Sequence, residues 1–182
     1  MNRNRCSWCN LNNPTYIAYH DGEWGVPTHD DQKLFEFLVL ESFQAGLSWE
    51  TILRKRENFL IAFDFMDPNL VQTYAEGKIQ DLMANTGIIR NRRKIEAAIN
   101  NARIFLDIQK EWGSFDAYIW HFTGNQTIFE VNCTHSQLSD QISADLKRRG
   151  MKFVGTTIIY SYLQAIGIIY SHEESCFLYR NK

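Results

Sequence analysis

No apolar run in this 182-residue chain approaches the roughly 20 residues that a membrane-spanning helix needs. The arginines at positions 3 and 5 have no apolar stretch behind them, so no secretory signal is expected and the expected compartment is the cytoplasm. Cysteine is sparse. Four in a chain of this size, with no signal, read as thiols or metal ligands rather than disulfides. Net positive charge is also lacking: the formal charge is −2, which taken alone argues against a polyanionic partner. With no internal repeat, low-complexity tract or linker, residues 1–182 read as one domain able to bury its own core.

The distribution of charge qualifies its sum. Arg54, Lys55 and Arg56, then Arg90, Arg92, Arg93 and Lys94, then Lys147, Arg148, Arg149 and Lys152 hold eleven of the 19 basic residues. Such clusters can grip phosphates on a slightly acidic protein, and equally can be solvated helix faces.

The dominant hydrophobic period is helical. Leu34, Phe37, Leu38, Glu41 and Ala45 fall on one helical face. Ser48 is a candidate cap for a helix reaching about Phe63, and Asp67-Pro68 signals another start. Further helices are expected at 78–85, about 91–110, 115–122, 139–149 and from just after Gly155-Thr156-Thr157 to about Tyr170, with 123–137 as loop. The fold class is all-helical.

Against this background the segment Tyr19-His20-Asp21-Gly22-Glu23-Trp24-Gly25-Val26-Pro27 stands out. It is too rich in Gly and Pro for a long helix, and its Tyr and Trp rings suit the wall of a pocket for a planar ligand. His20 adds a second possibility. With Cys6 upstream and His172 and Cys176 near the far end, it completes a two-Cys, two-His set of the kind that holds structural zinc. Such a site would close a loop of about 150 residues, and Cys9 is an alternative to Cys6. If the last helix continued through them, His172 and Cys176 would share a face. Glu41 is out of place on an apolar face, since an unpaired buried charge is costly; it is paired, at a boundary, or aimed at a ligand. Residues 82–94 combine a short helix, a Gly-bearing turn and a basic helix start, which can present backbone N–H groups to phosphate.

Together these motifs are recognisable. Cys6-x-Trp8, Tyr16 through Pro27, Glu41-x-x-Gln44-Ala45-Gly46-Leu47-Ser48-Trp49, Thr86-Gly87-Ile88-Ile89-Arg90-Asn91-Arg92, Lys152 through Thr157 and His172-x3-Cys176 occur in that order over nearly the whole chain. The chain closely resembles the bacterial 3-methyladenine DNA glycosylase I family of the helix-hairpin-helix superfamily. The resemblance implies a two-lobed helical fold with a structural zinc held by Cys6, His20, His172 and Cys176. It implies a zinc lobe formed by about 1–27 and 155–182. It makes about 82–94 the DNA-binding hairpin, with Thr86, Gly87, Ile88, Arg90 and Arg92 as its contact residues. It implies that Glu41 reads the edge of a flipped base, that Tyr19 and Trp49 stack on it, and that Trp24 and Trp8 wall the pocket. The implied activity is monofunctional hydrolysis of the N-glycosidic bond of 3-methyladenine in double-stranded DNA carrying alkylated bases, by a monomer. A non-catalytic damage binder and a zinc hydrolase are the competing readings; the latter needs an open coordination position.

Overall fold

The computed structural model describes residues 3–180. Its helices are α1 (Pro14–Gly22), α2 (Asp31–Gln44), α3 (Trp49–Ala62), α4 (Pro68–Val71), α5 (Glu76–Ala84), α6 (Arg92–Trp112), α7 (Phe115–His121), α8 (Gln137–Arg148) and α9 (Thr156–Ala165). Among the described residues no helix is long and apolar enough to cross a membrane.

The caps explain the boundaries. Asp30, Ser48, Asp67 and Asn91 each accept a hydrogen bond from a backbone N–H in the first turn that follows, satisfying donors a helix start leaves free. Ser136 and Ser139 cap α8 reciprocally. The expected limits of α3 and of α5 to α8 fall within about two residues of these, and α4 starts where Asp67-Pro68 signals it.

Helix α2 is the hub. The sequence suggests one apolar face, yet every residue from Leu34 to Phe43 is buried, because α3, α6, α7 and α9 surround the helix. Two carboxylates are carried inside. Glu36 is matched: Arg56 Nε donates to it at 2.6 Å and Lys33 lies 3.0 Å away. Arg56 also donates to both oxygens of Glu23, at 2.6 and 2.7 Å. Burial raises Glu23, but the bonds from Arg56 and Lys33 outweigh this and hold its carboxyl below the ordinary value. One guanidinium thus ties the end of α1 to α2 and α3. Glu41 has no such counterpart.

Two stretches differ from the sequence reading. Tyr19–Gly22 finishes the short helix α1, capped by Asn13 with Pro14 in its first turn, and only Glu23–Pro27 forms an irregular exit. Helix α9 stops at Ala165 rather than near Tyr170. Gly167 is the reason: its φ is +78°, and a Cβ there would lie 2.4 Å from backbone atoms of Val26 and Pro27. Beyond it, β2 (Ile169–Tyr170) pairs in parallel with β1 (Ile128–Phe129), inside the segment read as loop. The all-helical expectation holds apart from this two-residue ladder.

The chain ends are stitched together. Phe177 N–H donates to the Asn4 carbonyl at 2.8 Å, and the N–H and hydroxyl of Ser7 both donate to Glu173 at 2.7 Å.

Candidate active site

A cavity of about 310 Å³ opens beside α2. One wall is aromatic: Trp8, Tyr16, Tyr19, Trp24 and Trp49. Tyr19 and Trp49 meet at 5.4 Å between ring centroids, and Trp8 lies edge-on to Trp24 at 4.7 Å. The other wall is polar and comes from Gln44, Asn132, Cys133, Ser161, Gln164, Ser171 and Glu173. The sequence reading missed most of this wall. Its members sit in four separate stretches, and none carries a local signal. An adjoining space of about 170 Å³ shares Glu41, Gln44 and Ser161 and is bounded by the Ala45-Gly46-Leu47 turn, from which Leu47 projects 41% exposed.

Glu41 lines the cavity while only 3% exposed, and its Oε2 has no hydrogen-bond partner among the described residues. Burial pushes its carboxyl up to about 8. The indole Nε1 of Trp49 is likewise buried without a partner. One acid and one N–H donor therefore face an aromatic slot unsatisfied. Leaving buried polar groups unpaired is costly, so both are poised for a polar-edged planar ligand.

Behind the aromatic wall lie Cys6, His20, His172 and Cys176, all buried, with ligand atoms within 4.8 Å of one another. The Sγ atoms of Cys6 and Cys176 stand 3.4 and 3.6 Å from His172 Nδ1, and Cys176 Sγ is 3.6 Å from His20 Nε2. Tetrahedral zinc with ordinary Zn–S and Zn–N lengths separates S and N ligands by about 3.6 Å, so the four residues fit a metal ion. Burial, reinforced by His20, pulls His172 down to about 4, which keeps the ring neutral and able to ligate. Burial also pushes the Cys6 thiol up to about 12, so a bound cation is what would hold it as thiolate. Backbone N–H groups of Glu173 and Leu178 point at the Cys6 and Cys176 sulfurs at 3.4 and 3.5 Å. Cys9 is outside the set; its Sγ contacts the Tyr16 carbonyl. Nor does a helix present the C-terminal pair. His172 and Cys176 flank a tight turn closed by Cys176 N–H to the Glu173 carbonyl at 2.8 Å.

Asp21, unassigned by the sequence, has a place here. Its Oδ1 lies 2.7 Å from His20 Nδ1, and Arg5 donates to both its oxygens at 2.8 and 2.6 Å. The Arg5 bond, helped by His20, holds the carboxyl below its ordinary value.

The hairpin is α5, the turn 85–91 and α6. Thr86 and Arg90 are exposed, but the Ile88 side chain is buried, so only its backbone is available to a ligand. Arg92 is exposed yet paired with Glu76 at 2.6 Å and Glu96 at 2.8 Å. The basic clusters thin out in three dimensions. Arg56, Arg148 and Arg149 are in ion pairs, and Lys94 is buried. Among the described residues Arg54, Arg90, Arg93, Lys147 and Lys152 are exposed and free of ion pairs.

Comparison with known proteins places this geometry. A family described as Methyladenine glycosylase matches residues 8–179. DNA-3-methyladenine glycosylase 1 of Escherichia coli is 45% identical over 96% of this chain and 96% of its own length. The DNA-3-methyladenine glycosylase of Haemophilus influenzae is 39% identical over 94% and 96%. The solved Staphylococcus aureus 3-methyladenine DNA glycosylase I, described in terms of its recognition of 3-methyladenine, superposes with a TM-score of 0.93 at 34% identity, covering 99% of this chain and 98% of that one.

Proposed function

The chain belongs to the methyladenine glycosylase family, and on that premise we propose that it hydrolyses the N-glycosidic bond of 3-methyladenine in alkylated double-stranded DNA. The observation that carries the reading is the unpartnered Glu41 carboxyl at the edge of an aromatic slot.

A base inside a duplex is out of reach, so the nucleotide is flipped into the cavity. Methylation at N3 makes the adenine cationic. Tyr19 and Trp49 offer ring faces to that cation, with Trp8 and Trp24 behind them, and a neutral adenine forgoes this attraction. Glu41 accepts from the polar edge of the base and, once ionised, balances its charge. As the C1′–N9 bond breaks, its electron pair neutralises the base, which leaves without needing a proton. Water adds to C1′ and loses a proton, giving free 3-methyladenine and an abasic site. Among the described residues no lysine lines the cavity, which supports a monofunctional reaction without an amine–sugar adduct. The hairpin backbone at Thr86–Ile88, with Arg90 and Arg92, grips the phosphates. Cavity and ligand cluster are complete within one chain, which supports action as a monomer, in the cytoplasm where the DNA is.

Incubating the protein with methylated duplex and chromatographing the released bases tests this reading. Free 3-methyladenine is expected; bound damaged DNA without released base would leave only a damage binder.

The Cys6, His20, His172 and Cys176 cluster would hold a zinc ion, and with four protein ligands the ion would supply a cross-link rather than a reactive water. In this reading Asp21 and Arg5 orient the His20 ring. Replacing Asp21 with Asn is expected to weaken zinc binding about tenfold to a hundredfold. Competition against a chromophoric chelator reads this directly, and unchanged affinity would remove Asp21 from the role.

A further inference from the structure

Two lysines of the basic clusters point inward, and both join the hairpin to the helices that carry the cavity. The first is Lys94, in the opening turn of α6. Its ammonium donates to the carbonyls of Phe43 at 2.8 Å and Ala45 at 2.6 Å. The residue is 6% exposed and has no ion-pair partner among the described residues. Its charge therefore rests on the negative end of α2, where the last carbonyls lack helical partners. The second is Lys55 on α3, whose ammonium donates to the carbonyls of Thr86 at 2.9 Å and Gly87 at 3.2 Å in the hairpin turn. Gly87 sits so close to α3 that a Cβ there would be 3.0 Å from Asn58 Cγ.

These bonds run in opposite directions across one seam. The hairpin reaches the end of α2, three residues after Glu41, and α3, which starts at Trp49, reaches back to the hairpin. Between the end of α2 and the start of α3 lies only the turn Ala45–Ser48. That turn leaves α2 at once and passes through Gly46 at φ +81°; among the described residues its hydrogen bonds besides that of Lys94 are Leu47 N–H to the Gln44 carbonyl and, at the start of α3, those between Ser48 and Thr51.

We propose that Lys94 is a positioning residue for excision, its ammonium holding the Ala45–Ser48 turn, with Glu41 and Trp49 on either side, in register with the phosphate-gripping hairpin. The proposal rests on the reading of the cavity as the base pocket. A duplex held at the hairpin delivers its flipped base to one place, and the cavity must be there. A displacement of about 1 Å between bound substrate and reacting groups can cost about a hundredfold in rate. Free base, which is not held by the hairpin, does not feel the register.

The test is Lys94→Met in the full-length, zinc-loaded protein. Amide hydrogen exchange across residues 45–48 is expected to accelerate, and single-turnover excision of 3-methyladenine from duplex to fall by about tenfold or more. Affinities for free 3-methyladenine and for undamaged duplex are expected to stay at the parent values. Unchanged exchange at 45–48 overturns the tether whatever the activity of the parent, and so separates it from failure of the pocket reading. Unchanged excision beside an active parent overturns it as well. So does a loss of free-base affinity, which marks a collapsed cavity, or a loss of duplex affinity, which marks a direct phosphate contact. Should Lys94→Met not fold, Lys94→Gln, which loses the charge but keeps a donor, is read by the same measurements, and unchanged exchange at 45–48 in that variant overturns the tether.

Discussion

Glu41→Gln is expected to fold, bind metal and melt at a higher temperature than the parent above pH 8, while excising 3-methyladenine about a hundredfold more slowly. The two effects share a cause. Burial without a partner lifts the Glu41 carboxyl from its ordinary 4.5 to about 8. The folded, empty protein therefore holds a proton that the unfolded chain releases. The linkage has a definite sign: stability is unaffected below pH 4.5, falls as pH rises from about 4.5 to 8, and is flat above that. The full penalty is on the order of 5 kcal/mol in the ionised limit. Glutamine cannot ionise, so the difference in melting temperature between variant and parent should open over that window and then stay constant. A protein damaged by the substitution would instead melt lower at every pH.

Activity should titrate in the matching direction. A cationic base favours the carboxylate, so kcat/KM is expected to rise with pH through a midpoint near 8, the value of the free protein. Once the cation is seated beside it, Glu41 ionises more readily, and the corresponding limb in kcat is expected at lower pH. In Glu41→Gln both limbs should vanish. A variant that excises at the parent rate, or keeps the pH profile, removes Glu41 from the chemistry.

Glu41 was visible in the sequence because it breaks an apolar face; Glu36 lies off that face and gave no such signal. Both are carried into the interior by α2, and what distinguishes them is Arg56, twenty residues beyond Glu36, which satisfies one and not the other. The Cys–His cluster was legible by residue type and order. Choosing Cys6 over Cys9 required three dimensions, because only the fold turns one sulfur toward His172 and the other toward the Tyr16 carbonyl. Helix α9 read as too long because its terminator is not local: Gly167 ends it by meeting Val26 and Pro27 across the fold. The basic clusters misled for a related reason. Charge in sequence says nothing of which way a side chain turns, and Lys55, Arg56 and Lys94 turn inward.

The largest loss of stability is expected from Cys176→Ser. Removing one ligand of four breaks a closure that joins residues 166 positions apart, as between Cys6 and His172. For a cross-link spanning a loop of this order, the restriction it places on the unfolded chain is about 5 kcal/mol. In a domain of this size that corresponds to a drop of about 10–20 °C in Tm. A strong chelator should lower the parent by a similar amount and leave Cys176→Ser where it is; equal sensitivity of both proteins to the chelator, or a variant melting with the parent, rules out the cross-link. Excision should fall with it, although no ligand enters the reaction. The ligands interleave with the cavity: His20 follows Tyr19, Cys6 lies two residues before Trp8, and His172 sits between Ser171 and Glu173. Trp8 packs on the His20 ring at 5.2 Å and Trp24 edge-on to His172 at 4.8 Å. The Cys–His cluster is thus the backing of the aromatic wall, and opening it would free those rings. Cys9→Ser is the control, since its sulfur lies outside the cluster, and its excision and metal content should both match the parent.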